Sequence, residues 1–225
     1  MEKYSDNIRA RFTARHQKCL DLAGEVKNKR VLNVGCYNGW FEQGMVKKGA
    51  KEIIGIDIEQ KFIELSKKNV PQANFFKKSI LEVDLSKNYF DLITMFDVLE
   101  HLPVGKEKEA LKKIRQVLRP LGLLLLSVPN GHCLSKFFDP AWYFGHRHYS
   151  RKKLINLLKR NGFKIIALEI RGGCFELITM FLLYFCKWLL RREIPFKNWF
   201  ENKRKQEYFS KNGFVTIFIK AIKQK

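Results

Sequence analysis

Two glycines and one carboxylate set the first chemical expectation. In VLNVGCYNGWF (31–41) an apolar run delivers Gly35, a tight turn follows, and Gly39 stands where a helix opens. Glycine at such points lets backbone approach a ligand that a side chain would strike, and the first helical turn leaves N–H donors unpaired beside it. Asp57 ends the run IIGID, 22 residues beyond Gly35. On the tip of the second strand of a nucleotide-binding sheet, a carboxylate accepts hydrogen bonds from both hydroxyls of a ribose. The same residue, or Glu59, could instead cap the next helix.

A second group follows a later strand. FDLITMFDVLEHL (90–102) puts Phe96 and Asp97 just past a strand end, with Glu100 and His101 opening the next segment. Histidine titrates near neutrality, so His101 is a candidate general base, or else a ring that only holds its loop. His146 and His148 are candidates of the same kind. They lie in an aromatic-rich stretch, residues 129–150, suited to closing over an acceptor. The five cysteines, at 19, 36, 133, 174 and 186, show neither CxxC pairing nor disulfide-like spacing, and MEKYSDNIRARFTARHQK has no apolar leader. The expectation is reduced thiols, a cytoplasmic protein and no metal site.

These candidates need strands that end together. Apolar runs alternate with amphipathic stretches along the chain, the pattern of a parallel sheet covered by helices. Strands are expected at 30–34, 52–56, 74–77, 90–95, 121–128, 163–170 and 214–221, and helices at about 5–24, 40–48, 60–68, 106–118, 151–161 and 197–210. Leu121–Val128 is the most apolar strand and is expected inside the sheet, covered on both faces. Ser150 is the expected N-cap of the helix that Gly162 ends. No repeat or linker interrupts 225 residues, so a single domain, 1–225, is expected, with an N-terminal helix within 1–28 and an apolar and basic helical insertion at 171–212.

The net charge is +21, and residues 151–225 hold 18 basic and 5 acidic side chains. Such a field attracts phosphate, whether on nucleic acid, lipid headgroups or a pyrophosphate-linked substrate, unless it only solvates the surface. Phe175–Leu190 is apolar around most of a helix but shorter than the roughly 20 residues that span a bilayer. It reads as a core helix, a dimer contact, or a segment entering a membrane interface. In the last case Lys187, Arg191, Arg192, Lys197, Lys203, Arg204 and Lys205 would meet anionic headgroups, placing the protein peripherally on the inner face of a membrane.

Taken together, VLNVGCYNG, the acid Asp57, FDLITMFDVLEHL, VLRPLGLLLLSVPN and the final GFVTIFIKA resemble the class I S-adenosylmethionine-dependent methyltransferases, from about Lys29 to Ile222. The resemblance implies an α/β fold: a doubly wound, seven-stranded, mostly parallel Rossmann-like sheet with an antiparallel last strand. It implies S-adenosylmethionine as cofactor, with S-adenosylhomocysteine as product. Gly35, Cys36 and Gly39 would line the methionine end, Asp57 would take the ribose, and Ile58 would pack on adenine. Ser79 and Ile80 would border the base, and Phe96 would present backbone to the amino-acid portion.

Asn33 stands where the family has an acid, and Tyr37 where it has a middle glycine. Tyr37 either packs against the methionine moiety or weakens the site. FGHRHYSRKKLINLLKRNGF (144–163) resembles a segment of quinone, lipid and glycan-pathway methyltransferases. This implies O-methylation of a small-molecule or lipid-linked acceptor. The reading MFDV, in place of an Asn/Asp-Pro-Pro-Tyr/Phe signature, weighs against nucleobase amines. RNA or protein methylation and a non-catalytic, membrane-associated scaffold remain alternatives, and Tyr37 at the second glycine of GxGxxG disfavours a nicotinamide enzyme.

Overall fold

A strand buried on both faces must be apolar throughout, and IIGI, LITM and LLLLSV meet that demand. The computed structural model describes residues 12–139, 142–143, 145–186 and 196–224. In chain order the elements are α1 (Ala14–Ala23), β1 (Arg30–Val34), α2 (Trp40–Lys47), β2 (Glu52–Asp57), α3 (Gln60–Asn69), β3 (Asn74–Lys77) and β4 (Phe90–Phe96). There follow a 3-10 turn (Leu99–His101), α4 (Glu107–Val117), β5 (Leu118–Pro129), α5 (Cys133–Phe138), α6 (Arg151–Arg160), β6 (Phe163–Arg171), α7 (Cys174–Phe185), α8 (Lys197–Phe209) and β7 (Thr216–Lys223). The expected elements are all present, with shifted ends. Of the expected first helix, residues 5–11, including Ile8, lie outside the described residues.

The sheet order is β3-β2-β1-β4-β5-β7-β6, and β7 runs antiparallel between β5 and β6. Strand β5 lies inside the sheet beside β4, with Leu124, Leu125 and Leu126 wholly buried. Two cores cover it. On one face pack Cys19 and Leu20 of α1, Phe41 and Met45 of α2, Ile63 of α3 and Tyr208 of α8. On the other pack Leu111 and Ile114 of α4 with Leu154 and Leu158 of α6. Ser150 Oγ accepts the Lys153 N–H at 3.3 Å and caps α6 as expected.

The start of α7 is held by a cap borrowed from a neighbour. The Glu207 carboxylate of α8 accepts the N–H groups of Gly173, Phe175 and Glu176, at 2.7–2.9 Å, from the opening turn of α7. Those donors have no partner within their own helix, and a negative charge there also meets the positive end of the helix dipole. Arg204 corrects one expectation. It is buried and pairs with Glu176 and Glu201, so its guanidinium is not free for headgroups.

Asn33, on β1, points into the protein rather than toward the strand tips. It accepts a hydrogen bond from Thr94 Oγ1 at 2.7 Å, and its amide donates to Glu42 Oε1 of α2 at 2.8 Å. Glu42 is fully buried, and its other oxygen meets no partner among the described residues. Burial pushes this carboxyl up to about 8, against the opposing pull of the Asn33 amide. The folded state therefore keeps a proton that the unfolded chain releases near 4.5, so folding loses stability as pH rises between those values. Glu42→Gln is expected to remove that slope. Its denaturation midpoint should rise relative to the unsubstituted protein from pH 5 to pH 8, measured by urea unfolding; a constant difference would contradict the burial argument.

Candidate active site

Strand β1 ends at a turn whose backbone takes positive φ at three residues. Gly35 has φ 83°, and a Cβ there would lie 2.4 Å from Val98 Cγ2. Gly39, at φ 80°, opens α2. Between them Tyr37 adopts φ 49°, a conformation glycine takes without steric cost and tyrosine does not. The strain is held by its neighbours: the Tyr37 N–H donates to Asp57 Oδ2 at 3.0 Å, its carbonyl accepts from Ser66 Oγ at 2.8 Å, and its ring meets Phe62 edge-on at 4.7 Å. The ring thus forms a wall and leaves the hollow open.

That hollow is a cavity of about 640 Å³ running over the tips of β1, β2 and β4, within the usual range for a small-molecule site. One end is bounded by Gly35, Tyr37, Asp57, Ile58, Ser79 and Ile80, and the other by Arg15, Phe96, Asp97 and His101. Asp57 meets the start of α3 and also lines the cavity. Its Oδ1 accepts the Glu59 N–H at 3.1 Å as α3 begins, yet the side chain still faces the cavity. Each carboxylate oxygen has a second lone pair to offer. Ile58 is 65% exposed, an apolar surface without a protein partner to cover most of it.

Cys36 and Gly39 do not form the wall. Cys36 is fully buried with its thiol 3.7 Å from Ser66 Oγ, and burial pushes that thiol up, away from the reactive thiolate. Gly39 is packed against Val70 and Ser66.

The three histidines come together. His101 lines the large cavity and also a second one of about 200 Å³, which His146 and His148 line as well. The Nε2 atoms of His101 and His146 stand 3.3 Å apart. Asp139 Oδ2 lies 3.4 Å from His146 Nδ1 and 2.9 Å from His148 Nε2, while His148 Nδ1 faces the Asn130 carbonyl at 3.1 Å. Partial burial, with His146 alongside, holds the His101 pKa below its ordinary value, so the ring is neutral at neutral pH.

Sequence reasoning missed what holds this end. Arg15 of α1 pairs with Asp97, which also accepts from Ser127 Oγ at 2.8 Å, and so draws the N-terminal helix over the cavity. His16 beside it is half-buried, and desolvation, with Arg15 alongside, takes its pKa down to about 3. Arg147 binds the carbonyls of Leu99, Glu100 and Leu102 and the Glu107 carboxylate, clamping the turn that carries His101. An arginine between two histidines was the available signal, although its partners were not.

The chain has relatives among known proteins. It is 27% identical over 145 residues to a Mycolicibacterium smegmatis protein named probable S-adenosylmethionine-dependent methyltransferase, covering 64% of this chain and 55% of that protein. It is 29% identical over 124 residues to a ubiquinone biosynthesis O-methyltransferase of Dechloromonas aromatica, covering 53% and 52%. The chain thus spans about half the length of the curated relatives it matches. Among solved structures, a SAM-dependent methyltransferase of Archaeoglobus fulgidus superimposes with a TM-score of 0.70 at 19% identity, covering 96% of each chain. The [4+2]-cyclase SpnF does so with 0.69 at 17%, covering 93% of this chain and 80% of that one; at such identities the likeness is one of fold. A model of the methyltransferase domain matches residues 4–168, nearly three quarters of the sequence, and the chain belongs to that family.

Proposed function

We propose that this chain transfers a methyl group from S-adenosylmethionine to an oxygen of a small-molecule or lipid-linked acceptor. The observation that carries the proposal is the single cavity joining Asp57 to His101. One end suits a nucleoside: a carboxylate for the ribose, exposed Ile58 for the face of the base, Ser79 and Ile80 at its edge, and glycine backbone beneath the amino-acid portion. The cofactor supplies a methyl already activated on a sulfonium. The residues therefore have to align the partners, exclude water and, for a hydroxyl acceptor, receive its proton. His101 faces the cavity, with His146 and Asp139 behind it in hydrogen-bonding sequence. The ubiquinone O-methyltransferase among the relatives supports an oxygen acceptor of this class.

Asp57→Asn is expected to weaken S-adenosylmethionine binding by roughly tenfold to a hundredfold, as one charge-assisted hydrogen-bonding group is lost. Calorimetry reads this directly; unchanged affinity, or preferential binding of NAD, would remove the cofactor assignment. Radiolabelled methyl transfer into an extract split into lipid, RNA, protein and soluble fractions then identifies the acceptor. Label in RNA or protein alone would replace the small-molecule reading, and no label despite tight binding would favour a scaffold.

A lipid-linked acceptor has support from α7. Ile178, Phe181 and Phe185 project at helical spacing with 42–51% of their surfaces exposed, and Phe181 stacks on Phe185 at 6.2 Å. Phe196 and Trp199 are exposed nearby in sequence, together with Lys197 and Lys205. Lys187, Arg191 and Arg192 lie outside the described residues. Among those described, no helix is long and apolar enough to cross a membrane, so contact would be interfacial. The protein is expected to sediment with anionic liposomes in preference to neutral ones, and Phe181→Asp with Phe185→Asp should abolish most of that binding. Both side chains are exposed, so the fold should survive. Equal sedimentation of the variant would reject the membrane contact.

A further inference from the structure

Glu100 is 3% exposed, yet neither of its carboxylate oxygens has a hydrogen-bond partner among the described residues. An unpartnered buried carboxylate is costly, and natural folds keep few of them. Its oxygen Oε1 lies 3.8 Å from His146 Nε2, which itself lies 3.3 Å from His101 Nε2. One potential ligand atom from each of the three residues falls within 4.8 Å of the others. We propose that Glu100, His101 and His146 form a binding site for a divalent first-row transition metal, such as zinc, at the junction of the two cavities.

The spacing fits. Two imidazole nitrogens, each about 2.05 Å from zinc at a tetrahedral angle, stand about 3.3 Å apart. The Glu100 oxygen, 3.8 Å from His146 Nε2, lies about half an ångström beyond the same spacing. Asp139 completes the arrangement from behind, because accepting a proton from His146 Nδ1 leaves the Nε2 lone pair facing the site. A second grouping, Asp139 with His146 and His148, is less suited. Asp139 already accepts from His148, whose other nitrogen faces the Asn130 carbonyl.

Charge points the same way. In a protein of net charge +21, four carboxylates surround the smaller cavity: Asp97, Glu100, Asp139 and Glu176. Arg15 answers Asp97 and Arg204 answers Glu176. Glu100 has no such partner among the described residues, and a divalent ion balances it. Two imidazoles and one carboxylate select zinc and its neighbours over magnesium or calcium.

The fourth position opens toward the cavity through His101, the exposed member of the trio. The task assigned to the ion rests on the methyltransferase reading, whereas its binding does not. With its Nε2 on the ion, His101 holds the ion instead of receiving the proton, and an acceptor hydroxyl meeting the ion gives up its proton to water more readily. The oxygen lone pair then forms the new C–O bond, and the electron pair of the breaking S–C bond stays on sulfur, which becomes a neutral thioether.

The test is a zinc titration of the chelator-stripped protein against a competing chromophoric chelator, with S-adenosylmethionine calorimetry on the same samples. One zinc per chain is expected. Glu100→Gln and His146→Ala should each weaken it by more than tenfold, and Asp139→Asn by roughly tenfold or more. Cys133→Ser, which removes the exposed thiol beside His132, should leave it intact, and the cobalt-substituted protein should lack a thiolate charge-transfer band. Glu100→Gln is isosteric, and circular dichroism checks that it stays folded. No stoichiometric zinc, zinc held equally by Glu100→Gln, or zinc lost with Cys133→Ser would overturn the site. Zinc binding without S-adenosylmethionine binding would keep the metal site and remove the cofactor reading; the reverse would do the opposite.

Discussion

After β1 the chain crosses to α2 on one face of the sheet, and after β4 it crosses to α4 on the other. Adjacent parallel strands that part in this way leave a cleft between their carboxyl ends that neither helix can fill. The large cavity lies over that parting. The Gly35 turn comes from one strand, Phe96 and Asp97 from its neighbour, and Asp57 from the strand beyond. The antiparallel β7 lies on the side of β5 away from β4, outside that parting.

Polar groups in and under the cleft are organised by burial. Asn33 takes the position of an acid but spends both ends of its amide on Thr94 and Glu42, stiffening the base of the turn. Asp97 is shared by Arg15 and Ser127, so the end of β4 is tied to α1 and to β5 at once. The basic surplus of the chain is confined largely to the surface. The smaller cavity, lined by carboxylates and histidines, has the opposite local character, which favours cationic or proton-donating groups in a protein whose outside attracts anions.

The strands were legible because two-sided burial forces an apolar run, and IIGI or LLLLSV can hardly be anything else in this rhythm. Asp57 and Phe96 could be placed at the cavity because strand tips converge in such a sheet, whereas Ile58, Ser79 and Ile80, which line it too, came from the family resemblance. Cys36 shows where that reasoning ends: its place in the motif is next to Gly35, but the turn carries its thiol inward to Ser66. Arg15, Asp139 and the Arg147 clamp were not legible. Their partners lie 82 residues away for Arg15 and 40 or more for Arg147, and a single sequence carries no local mark of such pairings. Arg204 misled because its basic charge looked solvent-bound, when its neighbours Glu176 and Glu201 had already claimed it.

Arg147 has one further consequence. Its guanidinium is bonded to three carbonyls of the 99–102 turn, while the residues on either side of it in the chain are His146 and His148. The loop that would embrace an acceptor and the turn that bears His101 are therefore one mechanical unit, tied by Arg147 and also by Tyr149 at the Leu99 carbonyl. Reshaping the loop for a different acceptor cannot be done independently of the histidine geometry. A change of shape in that loop reaches the 99–102 turn unless the clamp is broken first.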